Sequence, residues 1–80
     1  IMSEKGNTKE AEAEMRRAIA VNPNDPVLHA ELGSILSNDK TRAADAEHEY
    51  RKALELGPNV GYCHFVFARF LNDVLGRGDE

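Results

Sequence analysis

Residues 11–24 and 46–59 are two copies of one segment, offset by 35 positions without a gap. The first runs from Ala11-Glu12-Ala13-Glu14-Met15-Arg16-Arg17 to Pro23-Asn24. The second runs from Ala46-Glu47-His48-Glu49-Tyr50-Arg51-Lys52 to Pro58-Asn59. Seven of the fourteen pairs are identical, and most others are chemically close. The offset also relates His29 to His64, Leu32 to Phe67, Gly33 to Ala68 and Leu36 to Leu71, and backwards Leu36 to Ile1 and Lys40 to Lys5. Self-similarity at this period marks a chain built from stacked supersecondary units, none of which buries its apolar face alone. The period runs unbroken from Ile1 to Glu80 and divides the chain into three parts. Residues 1–24 end one repeat, 25–59 form a complete repeat, and 60–80 open the next with its first helix.

Each unit reads as two helices. In the complete repeat, Asp25 is suited to cap a helix and Pro26 to occupy its first position, where a missing N–H costs nothing. Leu28, Leu32, Ile35 and Leu36 keep helical apolar spacing, and Ser37-Asn38-Asp39-Lys40 breaks it, so the first helix is predicted over 26–38. The second is predicted over 42–56, with Ala46, Tyr50, Ala53 and Leu54 on one face. Gly57, in a left-handed conformation, and Pro58 would end it. In the flanking parts, Asn7-x-x-Glu10 resembles a capping box before a helix over 8–21. Asn22 stands in for Gly57, and Asn59 would cap a helix over 60–75. Glu12→Arg16 and Glu47→Arg51 are spaced as i,i+4 ion pairs in the favourable order. Small residues (Gly33, Ala68, Ala11, Ala18, Ala46 and Ala53) would let paired helices approach closely. The expected class is all-α, with about four helices.

Bulk properties exclude several roles. With 41% apolar and 30% charged residues the chain is ordinary for a folded domain. Its net charge of -4 leans away from a phosphate backbone, so nucleic acid is an unfavoured partner. No apolar run approaches the roughly 20 residues needed to span a bilayer, and the first residues lack a signal-peptide core. The single cysteine, Cys63, allows no internal disulfide; this suits the cytoplasm or another reducing intracellular compartment.

The repeat resembles the tetratricopeptide pattern. Its complete copy reads His29-x-x-Leu32-Gly33-x-x-Leu36, then Ala46-x-x-x-Tyr50, then Ala53 through Pro58. The flanking copies read Ala11-x-x-x-Met15, Ala18 and Pro23, and His64-x-x-Phe67-Ala68-x-x-Leu71. The resemblance covers essentially the whole chain. It departs from the family in a period of 35 rather than 34, with the extra residue between Gly33 and Ala46, and in His where a large residue usually opens the first helix. It implies antiparallel helix-turn-helix units stacked as a right-handed α-solenoid. It also implies a non-catalytic scaffold that binds a peptide segment or partner subunit. A 35-residue period is similar as well to pentatricopeptide and half-tetratricopeptide arrays, so single-stranded RNA binding is an alternative; a purely structural subunit of a larger assembly is another.

First helices line the concave groove in that family, which places Tyr62, Phe65, Arg69 and Asn72 there, on one stripe of the last helix. The equivalent stripe of the complete repeat holds Val27, Ala30 and Ser34, followed by Ser37. Ala30 and Phe65 stand where a carboxylate-clamping Lys would be expected, so no C-terminal tail clamp is predicted. The apolar face of the last helix is also open to self-association. His29 and His64 read as packing residues in equivalent slots rather than a metal pair, and no metal or other cofactor is expected. Cys63 and His64 are neighbours that diverge by about 100° on a helix and make no catalytic pair. Arg77-Gly78-Asp79 reads as part of a turn. No phosphate loop, nucleophile elbow or zinc spacing occurs, so no catalytic residue is assigned.

Overall fold

The computed structural model of the chain describes residues 4–73. Among them all regular structure is helical: α1 (Glu4–Val21), α2 (Pro26–Leu36), a 3-10 turn (Lys40–Arg42), α3 (Ala43–Leu56) and α4 (Gly61–Asp73). None of these helices is long and apolar enough to cross a membrane.

Local chemistry explains the boundaries. Asp25 is extended and its Oδ1 accepts from Val27 N at 3.0 Å, with Pro26 next, so α2 starts as the sequence implies. It stops at Leu36, two residues earlier than predicted, and Ser37 Oγ donates to Ser34 O at 2.8 Å as the helix ends. Asp39 then restarts the chain, accepting from both Thr41 N at 2.9 Å and Thr41 Oγ1 at 2.6 Å. This produces a 3-10 turn within the connection from α2 to α3.

Three expectations are corrected. Asn7 lies inside α1, which already begins at Glu4, rather than ahead of the helix. Val60, not Asn59, immediately precedes α4 and accepts from Cys63 N and His64 N. Gly57 has φ of -140°, so no left-handed cap forms. Glycine is required there by crowding instead: a Cβ would lie 2.7 Å from Pro26 Cγ and 2.8 Å from Val60 Cγ2. Ala68 is exposed on α4, and no paired helix lies over it among the described residues. The last two residues of the helix predicted over 60–75, and Arg77-Gly78-Asp79, lie outside the described residues.

α2 and α3 form the most extensive pair, α1 lies against α2, and α4 lies against both α2 and α3. The core holds Ala30, Leu32 and Leu36 from α2, Ala46, Tyr50 and Ala53 from α3, and Cys63, Val66 and Phe70 from α4. Gly33 sets the α2–α3 distance, since a Cβ there would stand 2.9 Å from Tyr50 Cε1. The Tyr50 ring is held from the other side by Phe70 and Phe67, with centroids at 5.1 and 5.6 Å. Arg51 lies over the Phe67 ring at 5.4 Å.

Charge ties α1 to the rest. Arg42 forms a fork to Glu12, with Nη1–Oε1 at 2.7 Å and Nη2–Oε2 at 3.0 Å. Both predicted i,i+4 pairs are present, Arg16–Glu12 at 2.9 Å and Arg51–Glu47 at 2.6 Å. The hydrogen bond from Arg42, aided by Arg16 and opposed by partial burial, pulls the Glu12 carboxyl down to about 2.

Two outcomes follow. Gly33→Ala gains helix propensity but drives a methyl into a ring that cannot retreat, so it should lower unfolding free energy by about 1–2 kcal/mol in denaturant titration. For Glu12, folding depresses the carboxyl, so its stabilisation is complete above the unfolded value near 4.5 and fades as pH falls towards 2. Across that window the melting temperature of the parent chain should drop more steeply than that of Glu12→Gln.

Candidate functional site

Two linkers of identical construction orient the first helices. His29 Nε2–H donates to Pro23 O at 2.9 Å, and His64 Nε2–H donates to Pro58 O at 2.6 Å. Each ring reaches back six residues and locks its linker to the helix that follows. His29 is buried, and its Nδ1 meets Glu49 Oε1 at 2.9 Å. Both histidines are therefore engaged in separate structural contacts. Among the described residues no group of three or more His, Cys, Asp or Glu side chains converges to hold a metal.

Between α2 and α4, with Tyr50 of α3 at its base, lies an open cleft of about 440 Å³. Ser34, Ile35, Ser37 and Asn38 line one wall, and Val66, Arg69, Phe70 and Asp73 the other. Ser34 Oγ and the Tyr50 hydroxyl share a hydrogen bond at 3.1 Å, which places two hydroxyls at the floor. Arg69 Nε faces Asp73 Oδ2 at 3.7 Å on the rim. The cleft thus combines an apolar wall, a hydroxyl floor and an exposed ion pair. A broader depression of about 1000 Å³ runs between α1 and the 3-10 turn, lined by Glu12, Arg42, Lys40 and Asp39 among others.

The residues proposed from sequence divide into three groups. Arg69 and Ser34 line the cleft. Tyr62 and Phe65 are 42% and 59% exposed on α4, and Asn72 and half-buried Val27 lie on the same two helices, but none of these four lines the cleft. Ala30 is a correction: it is 0% exposed and belongs to the core, because the neighbouring helices close over its methyl. The sequence reading missed Ile35, Asn38, Val66, Phe70 and Asp73 as cleft residues. It also missed Tyr50, whose core position concealed a hydroxyl that reaches the floor. Burial, then Glu31, push the Tyr62 phenol up, so it stays a neutral donor.

Cys63 is 1% exposed, and its Sγ–H donates to Pro26 O at 3.6 Å. Burial pushes its thiol up, with Asp25 adding to the effect. Such a thiol carries little thiolate and is inert in the folded chain. No known protein family, curated protein or solved structure matches the chain.

Cys63 therefore reports on the core. Its labelling by a thiol reagent should be slow in buffer and should accelerate with denaturant in step with the loss of helical circular dichroism. Rapid labelling before unfolding would contradict the packing around α4.

Proposed function

We propose that this chain is a tetratricopeptide-type repeat segment, stacked as a right-handed α-solenoid, and that it serves as a non-catalytic scaffold for a peptide or partner subunit. The exposed stripe of Tyr62 and Phe65, running along α4 beside the α2–α4 cleft, carries this reading. Large aromatics left in water on a helix that also presents Arg69 have the composition of interface hot spots. Repetition of the His–linker carbonyl contact at the same offset supports tandem stacking. The net charge of -4 favours a protein partner over RNA. A lone buried cysteine suits a reducing compartment such as the cytoplasm.

In this reading a bound segment rests its apolar side chains on Tyr62 and Phe65. It directs polar groups to Arg69, Ser34 and the Tyr50 hydroxyl, with Val27 and Asn72 at the margins.

Panning a displayed peptide library against the full chain tests this. Selected peptides should lose roughly tenfold or more in affinity on Tyr62→Ala with Phe65→Ala. Circular dichroism should change little, because both side chains are exposed. Failure to select any peptide, or binding indifferent to the substitutions, would sink the groove reading; unfolding of the variant would reassign both residues to the core.

A further inference from the structure

The chain carries two complementary helix faces, one at each end, and an internal template for how they fit. By the 35-residue offset α1 corresponds to α3, and α4 to α2. In the central pair, α3 covers α2 and buries His29, Leu32, Gly33 and Leu36 on one side and Ala46, Tyr50 and Ala53 on the other. Among the described residues no helix covers the corresponding face of α4. His64 and Ala68 are exposed, and Phe67 and Leu71 half-buried. The matching face of α1 is equally incomplete: Ala11, Met15 and Ala18 are half-buried where Ala46, Tyr50 and Ala53 are buried.

We propose that a second copy of this chain docks head to tail, its α1 lying on α4 of the first as α3 lies on α2. Charge and shape both select this occupant. Glu14 takes the place of Glu49 and reaches His64, whose Nε2 is already tied to Pro58 O as His29 is to Pro23 O. Glu14 is 72% exposed, and its Arg17 partner is a surface contact at 3.2 Å that it can exchange. A close point of the template, midway along the pair, is Gly33 against the rigid Tyr50 ring, at 2.9 Å for a notional Cβ. At the docked interface that pair becomes Ala68 against Met15. The added methyl meets an unbranched, adaptable side chain instead of a ring, so the covariation preserves the fit. The contact uses different patches on the two copies. It is heterologous, and it repeats unless the rotation closes.

Sedimentation of the full chain over a concentration series tests this, using variants that block one face each. Ala68→Glu places a charge on exposed α4 surface. Met15→Glu blocks the α1 face, and Glu14→Arg does so from a mostly exposed position should Met15→Glu lower the melting temperature. The parent chain should rise from 8.9 kDa towards multiples of it as concentration increases. Each variant alone should stay monomeric. A mixture of Ala68→Glu with an α1 variant retains one intact interface and should stop at a 1:1 pair. A parent chain monomeric at every concentration overturns the proposal, whether other protein covers these faces or water does. So does an α1 variant that still dimerises alone, since that would mean α4 pairing with α4.

Discussion

The contact between Gly33 and Tyr50 governs how the chain is assembled. Only a residue without a Cβ lets α2 approach a tyrosine ring this closely. The approach leaves Leu32 and Leu36 almost fully buried, and it turns the Tyr50 ring towards Phe67 and Phe70. The ring thereby brings α4 onto the central pair. It also carries its hydroxyl past the core to Ser34, where it becomes the floor of the cleft. One residue therefore joins packing to the surface on which binding is proposed.

Polar contacts define how successive units join. The histidine of each first helix grips the carbonyl of the proline before it, which fixes the direction in which the chain enters the helix. Arg42 and Glu12 do comparable work between α1 and the turn after α2. These interactions are partly screened by water and contribute modestly each. Their effect is angular: apolar faces slide more readily than forked or directional hydrogen bonds do.

The two ends of the described chain differ from its centre in exposure rather than in design. On the paired faces, equivalent residues on α1 and α4 are less buried than those on α3 and α2. The face that is buried at the centre is half-open at the two ends of the described residues.

The all-helical class and the α2 cap at Asp25-Pro26 were legible in the residues, as were the end of α3 at Leu56 and both i,i+4 ion pairs. Each depends on groups within a few positions of one another. The 35-residue period, too, is a property of the sequence alone. Tertiary structure decided what spacing cannot encode. Ala30 shares a helical stripe with Val27 and Ser34, yet it is sealed, because neighbouring helices close over a methyl and leave longer or polar side chains at the edge. Gly57 looked like a left-handed cap but is a point of crowding against Pro26, thirty-one positions earlier and adjacent only after folding. His29 was read as packing, and its second partner, Glu49, comes from the next helix. Local periodicity and capping determined which residues form helices. Which faces those helices bury, and which they leave to a partner, depended on distances between residues far apart in the chain.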